Sequence, residues 1–224
     1  MSDHPIGFVG LGAMGRPMAV NLAKSGQSLV VRDPNPTATD ILVQRGATVA
    51  DSVQAVANQA VVVLACMPSV AIAEQVVAEA AAGSAIKQFV NLGTTGSKFS
   101  QAAAAKLAEK GIAYLDAPIS GGPPGAEAAT LSIMCSGDKA AFEAARPALE
   151  VMSGKLTYLG EKVGAAQTMK LVNNIISFCN LVAASEAFTL GAKAGLDPEQ
   201  MVEVVNASSG RNSATQDKIP KAVL

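Results

Sequence analysis

Ile6-Gly-Phe-Val-Gly10-Leu-Gly12-Ala-Met-Gly15 is the stretch on which the reading of this chain turns. A short apolar strand runs into three glycines spaced G-x-G-x-x-G, and the residues that follow, to about Lys24, read as a helix. Each glycine has a physical task in such a unit. Gly10 permits the tight turn, Gly12 lets backbone approach a pyrophosphate, and Gly15 allows helix and strand to pack closely. With Leu11, Ala13 and Met14 between them, they open a helix N-terminus whose unpaired N–H groups and positive dipole end suit phosphate oxygens. Gly26 can close that helix, and Ser28-Leu-Val-Val-Arg32 reads as the next strand. Asp33 then stands close to the spacing expected of a ribose-binding acid, about 20 residues on. The segment reads as a dinucleotide-binding βαβ unit. Asp33 would accept ribose hydroxyls and repel a 2′-phosphate, which favours NAD, while Arg32 beside it could grip that phosphate and admit NADP.

Alternation continues beyond this unit. Apolar strand-like runs lie at Val61–Ala65, Gln88–Asn91 and Ile112–Leu115, with alanine-rich helical stretches at about 70–82 and 98–110. Thr130–Ser136 and Lys155–Leu159 add strands around a further helix at 139–152. The pattern predicts an α/β fold, a Rossmann-type doubly wound, mostly parallel sheet with helices on both faces. Binding loops in such sheets sit at the carboxyl ends of the strands. Three loops qualify: Met67-Pro68-Ser69, Gly93-Thr94-Thr95 and Ala117–Gly122.

Composition narrows the chemistry. The chain has 224 residues, 50% of them apolar and 16% charged, with a net charge of −1. Such a chain has ample core and no basic footprint for nucleic acid. Its single histidine, His4, lies in a polar N-terminal tip, which removes Ser-His-Asp and Cys-His sites and histidine-rich metal centres. Cys66, Cys135 and Cys179, odd in number and set in apolar runs, read as inert buried thiols of a reducing compartment. The first residues lack a basic and apolar leader, and no run of about 18 residues is free of polar side chains, so neither secretion nor a membrane span is expected. The expectation is a soluble cytoplasmic protein.

Asp116-Ala-Pro-Ile-Ser120-Gly-Gly-Pro-Pro-Gly125 supports two readings equally. One is a long connection stiffened by proline, with glycines at positive φ. The other is a rigid platform on which the Ser120 hydroxyl and the Gly121 and Gly122 N–H groups meet a small anion such as a carboxylate. From Gly164 to about Lys193 there is no proline, and a single helix of roughly 45 Å is expected at ~1.5 Å per residue. Asp197-Pro198-Glu199-Gln200 then starts another helix with an N-cap and a proline at its first position. The domain boundary is placed near 163, giving 1–163 as a dinucleotide-binding domain and 164–224 as a helical domain.

Lys170, Asn173, Asn174 and Ser177 share one face of the long helix. Its other faces are so apolar that the helix is expected to be largely buried, with the polar stripe turned toward a cleft. Burial lowers the pKa of a lysine, so Lys170 is the best proton-transfer candidate in a chain without a usable histidine.

Taken together, these motifs resemble the β-hydroxyacid dehydrogenases, the family of 3-hydroxyisobutyrate dehydrogenase and tartronate semialdehyde reductase. The resemblance rests on Gly7–Gly15, Asp116–Gly122, Gly164-x5-Lys170-x-x-Asn173-Asn174 and the Gly93-Thr94 loop, which span essentially the whole chain. It implies a Rossmann-type domain, a long interdomain helix and an all-α C-terminal domain. It also implies Lys170 as general acid–base, Ser120, Gly121 and Gly122 on a substrate carboxylate, and Asn174, with Asn173 beside it, fixing substrate and lysine. Thr94 is implied near the nicotinamide ribose or substrate, and Met67 and Pro68 on the adenosine side. The cofactor expected is NAD, with NADP possible; the partners are a small carboxylate substrate and further copies of the chain in a dimer or tetramer.

The chain departs from the family pattern in three places. Asn91-Leu-Gly93-Thr94 stands where relatives carry Asp-x-Ser-Thr, and Gly164-Ala-Ala166 replaces Gly-x-Gly. The sequence ends at Lys221-Ala-Val-Leu224, short of several helices the family carries, so the helical domain is expected to be incomplete and its exposed core to favour association. The leading expectation is hydride transfer between NAD(P) and a short 3-hydroxy acid or its semialdehyde. An imine reductase and a catalytically inactive NAD(P)-binding module are the alternatives.

Overall fold

The computed structural model describes residues 4–222. It divides into two compact units, Met1–Lys170 and Leu171–Leu224.

The first unit begins with β1 (Ile6–Val9), α1 (Gly15–Lys24) and β2 (Leu29–Arg32), followed by a short helix α2 (Asp40–Val43) and strand β3 (Thr48–Val49). Next come α3 (Val53–Ala57), β4 (Val62–Ala65), α4 (Val70–Ala80), β5 (Gln88–Asn91), α5 (Ser97–Ala108) and β6 (Ala113–Asp116). The remainder is β7 (Ile119–Ser120), α6 (Gly122–Glu127), β8 (Leu131–Gly137), α7 (Lys139–Val151) and β9 (Ser153–Tyr158). Strand order is β3-β2-β1-β4-β5-β6-β8-β7, with β9 on β8. Strands β1 to β6 pair in parallel. β8 runs antiparallel to β6 and β7, and β9 runs parallel to β8. The sheet is the doubly wound, mostly parallel Rossmann arrangement the alternation predicts.

Two cores explain why the strands are continuously apolar. Phe8, Leu64, Val90 and Leu115 face one layer with Met18, Leu22 and Phe142, whereas Val9, Val63, Phe89 and Tyr114 face the other with Val56, Val77 and Leu107. Successive residues of a strand point to opposite faces, so a sheet covered on both sides takes apolar residues on both faces of its strands. The topological switch lies between β1 and β4, at whose carboxyl ends the glycine loop and Met67 meet.

The short elements α2, β3 and α3 fall below what periodicity resolves. The Asp116–Gly125 segment is a second departure. It folds as strand β7 and helix α6, with Pro123 and Pro124 inside the first turn, where their missing N–H groups cost nothing.

Helix α8 runs Ala165–Lys193, and its first residues belong to the first unit. In the second unit α9 (Pro198–Asn206) starts at Asp197, whose Oδ1 accepts from the Gln200 N–H at 3.0 Å, the cap expected from sequence. A π-helical turn (Ala214–Lys218) and α10 (Ile219–Ala222) complete the unit. Ala184, Ala214 and Ile219 form its small core.

The expectation that α8 is largely buried is overturned. Leu171, Val172, Ile175 at 62% exposure, Ile176, Phe178 at 61% and Val182 are all exposed. Apolar side chains around a helix are covered only where other elements reach them, and the described residues leave most of this stretch open, with Lys218 reaching over the Phe178 ring. By length and composition α8 is also the one described helix able to cross a membrane. Its first turns are nevertheless built into the Rossmann unit, since Ala166, Gln167 and Lys170 are buried.

Among the thiols, Cys135 is buried and Cys66 half-buried, whereas Cys179 is exposed, contrary to its reading as a core residue. Burial pushes the Cys66 thiol up to about 11 and the Cys135 thiol up to about 12. Because the thiolate is the reactive form, a disulfide reagent at neutral pH should label Cys179 first. Cys66 should follow slowly and Cys135 only on unfolding, and rapid labelling retained in Cys179→Ala would contradict this order.

Candidate active site

The site is built at the carboxyl edge of the sheet. At the end of β1, Gly10 has φ +88°, a left-handed conformation that disfavours side chains. A Cβ on Gly10 would strike the Cys66 carbonyl and the Met67 side chain. A Cβ on Gly15 would strike the Gly10 carbonyl, so α1 can approach the turn only as glycine. Gly12 differs, because a Cβ there meets nothing within 4 Å. Its backbone faces open space at the mouth of α1, whose first turn holds no acidic residue. Loop and helix together make a cradle that suits a pyrophosphate.

Asp33 sits beside this cradle. One carboxylate oxygen accepts from the Leu11 N–H at 2.6 Å and the other from the Asn35 N–H at 2.8 Å. The Arg32 guanidinium is turned back to donate to the Asp33 carbonyl at 2.5 Å. The acid, not the base, is therefore fixed against the glycine turn. These residues fit a dinucleotide.

A cavity of about 370 Å³ adjoins the cradle. Met14, Met67, Thr94, Ser120, Gly121, Gly122 and Lys170, all singled out from sequence, line it together with Cys66, Leu92, Gly93 and Ile119. Gly121 and Gly122 have φ +132° and +64°, which turns their backbone at the end of β7. Lys170 is only 8% exposed, and desolvation lowers its pKa below the ordinary lysine value. No carboxylate lines the cavity to offset that burial.

Not every residue singled out is in the cavity wall. Pro68 follows Met67 at the end of β4, and Asn173 and Asn174 lie one turn past Lys170 on α8, in the second unit, with the Asn173 amide donating to Asn174 Oδ1 at 3.4 Å. Ser177, on the same stripe, accepts from Lys218 Nζ at 3.0 Å. A wider surface hollow of about 590 Å³ runs along α1 past Arg16, Lys24, Asp40 and Glu127, on mixed charges and away from Lys170.

Sequence reasoning missed the polar layer beneath the cavity. Asp116, fully buried, accepts from Ser100 Oγ at 2.6 Å, Tyr114 OH at 3.1 Å, Gln167 Nε2 at 3.2 Å and the Gly164 N–H at 2.6 Å. Asn91 donates to Thr95 Oγ1 at 2.8 Å and Tyr114 OH at 3.0 Å and accepts from the Gly93 N–H at 3.0 Å. Gln167 carried one usable signal, its place one turn before Lys170 on the same helix face.

With this geometry in place, kinship is decisive. Residues 5–160 match the NAD-binding domain of 6-phosphogluconate dehydrogenase, and residues 164–224 match the NAD-binding region of NADP-dependent 3-hydroxyisobutyrate dehydrogenase. The chain belongs to the β-hydroxyacid dehydrogenase family. Its cofactor is NAD(P).

The chain is 38% identical over 226 residues to 2-(hydroxymethyl)glutarate dehydrogenase of Eubacterium barkeri, covering 98% of itself and 74% of that protein. The 3-hydroxyisobutyrate dehydrogenase of Mycobacterium tuberculosis, solved with L-serine, superposes with a TM-score of 0.89 at 33% identity, over 97% of this chain and 75% of that one. An imine reductase of Streptomyces aurantiacus follows at 0.82 and 26% identity, over 91% and 72%. The chain spans roughly two thirds to three quarters of the length of the curated relatives it matches.

Gly15→Ala should destabilise the protein by about 1–3 kcal/mol, as overpacking does, and weaken NADH binding as well. Gly12→Ala meets no protein atom and should leave unfolding within about 0.5 kcal/mol while still weakening NADH. Equal destabilisation of the two variants, measured by denaturant unfolding and fluorescence titration, would show the cradle to be drawn wrongly.

Proposed function

We propose that this chain interconverts a short 3-hydroxy acid and its semialdehyde, with Lys170 as the general acid–base and NAD preferred to NADP. The observation that carries the reading is the single cavity lined at once by Lys170, the Ser120–Gly122 turn, Thr94 and the residues next to the dinucleotide cradle. Relatives named for 2-(hydroxymethyl)glutarate and 3-hydroxyisobutyrate support the substrate class.

When bound, NAD(P) supplies the two-electron acceptor or donor of the reaction. The protein supplies position and a proton path. The N–H groups of the first turn of α1 and the backbone at Gly12 hold the pyrophosphate, and Asp33 accepts the adenosine ribose hydroxyls. Ser120, Gly121 and Gly122 hold the substrate carboxylate and so fix which face of the hydroxyl carbon is presented. Neutral Lys170 accepts the hydroxyl proton during oxidation, and its protonated form returns one during reduction. Asn174, with Asn173 beside it, fixes substrate and lysine as the family resemblance implies. Thr94 would lie near the nicotinamide ribose or substrate, and Met67 and Pro68 would line the adenosine side.

Preference for NAD rests on Asp33, whose carboxylate would repel a 2′-phosphate, and on Arg32 being held by the neighbouring carbonyl. The carboxylate-binding turn and the lysine favour a hydroxy acid over an imine. No basic cluster beyond Lys170 lines the cavity, which favours a substrate without a phosphate.

The test is NAD reduction over a panel of short 3-hydroxy acids, L-serine included. Lys170→Ala should lower kcat at least about 100-fold, the scale of lost acid–base catalysis, and leave NADH binding in place. Undiminished turnover would overturn the mechanism, and NADH binding without turnover in the unaltered protein would favour a binding module. Since the neutral amine is the base, oxidation should rise with pH and level off below the range of an ordinary lysine, and reduction should fall across the same interval. Asp33→Ala should improve NADP use relative to NAD; no change in that ratio would remove Asp33 as the ribose ligand.

A further inference from the structure

Helix α8 carries Lys170 and starts against the carboxyl edge of the sheet, where its first N–H groups have no partner of their own. The Gly164 N–H donates to Asp116 Oδ2 at 2.6 Å, and the Ala166 N–H donates to Ser136 Oγ at 2.9 Å. The helix is thus tied to the ends of β6 and β8.

Gln167 extends the tie to β5. Its Nε2 donates to the Gly93 carbonyl at 3.0 Å and to Asp116 Oδ1 at 3.2 Å, and its Oε1 accepts from the Thr95 N–H at 2.9 Å and the Gly96 N–H at 3.1 Å. All four hydrogen-bonding positions of the amide are filled, and the side chain is fully buried. The loop that presents Thr94 to the cavity therefore hangs from a residue one helical turn before Lys170. Neither Gln167 nor Asp116 lines the cavity, although Gly93, which accepts from Gln167, and Lys170, one turn along the helix, do.

We propose that Gln167 and Asp116 are positioning residues: they lock the Lys170 turn of α8 to the Gly93–Gly96 loop and so fix the lysine amine relative to Thr94 across the cavity. The inference rests on the reading of Lys170 as the proton-transfer group. Geometry of this kind carries large rate effects, since a displacement of about 1 Å can cost ~100-fold. It also keeps water from the amine, and apart from Lys170 the cavity wall holds only Cys66 as a titratable group.

Gln167→Met keeps the length and bulk of the side chain and removes all four hydrogen bonds. It should lower kcat about 10- to 100-fold, with the Kd for NADH changed less than about threefold. The pH limb assigned to Lys170 should move upward as water reaches the amine. Ser136→Ala, which trims one hydroxyl, should move the same quantities less, and it decides the matter if Gln167→Met does not fold. A kcat within twofold of the unaltered protein, or equal losses in kcat and NADH affinity, would overturn the proposal.

A second readout needs no turnover. In protein labelled with 13C at lysine Cε, with the Lys170 resonance assigned through Lys170→Arg, the amine should titrate higher in Gln167→Met than in the unaltered chain. An unchanged titration overturns the positioning role even if no hydroxy acid is turned over. Absence of turnover in the unaltered protein, with the titration shifted as expected, counts against the proposed function alone.

Discussion

A carboxylate with no exposure to water organises the carboxyl edge of the sheet. Asp116 takes part in no ion pair among the described residues, so its charge is met by hydrogen bonds and by the positive end of a helix. An uncompensated charge at such depth is costly, which makes its surroundings exacting. The donors come from α5, from β6 itself, from Ser136 of β8 and from the start of α8. Shifting any of these would cost the carboxylate one of its donors.

What rests on this layer is the cavity wall. Leu92, Ile119, Met14 and Met67 supply apolar wall, and Lys170 supplies a cation that burial makes easier to deprotonate. A bound carboxylate would meet no competing anion in that wall. No carboxylate in the lining offsets the burial of the amine, so desolvation lowers its pKa.

The sequence and the folded molecule agree where the signal is local. Strand β5 and the limits of α1 fall where glycine spacing and apolar runs put them, and the remaining long elements differ by a residue or two at their ends. Agreement fails where distant chain segments decide. The apolar circumference of α8 predicts burial, but burial depends on what packs against it, and Ile175 and Phe178 stand exposed. Cys179 is exposed for the same reason. Asp116 looked like the head of a proline-stiffened loop, because its partners at positions 100, 114, 164 and 167 leave no trace in the residues around it.

By itself, then, the amino-acid sequence determined the dinucleotide cradle and the doubly wound sheet, and it singled out Lys170 as the proton-transfer candidate. These follow from glycine geometry, from apolar periodicity and from the lack of a usable histidine. Only tertiary structure decided that Met14, Met67, Thr94, Ser120 and Lys170 face one cavity, and that Gln167 and Asp116 hold two sides of it together. Pattern along a chain fixes which residue types each element carries. Hydrogen bonds between elements far apart in sequence fix where their side chains meet.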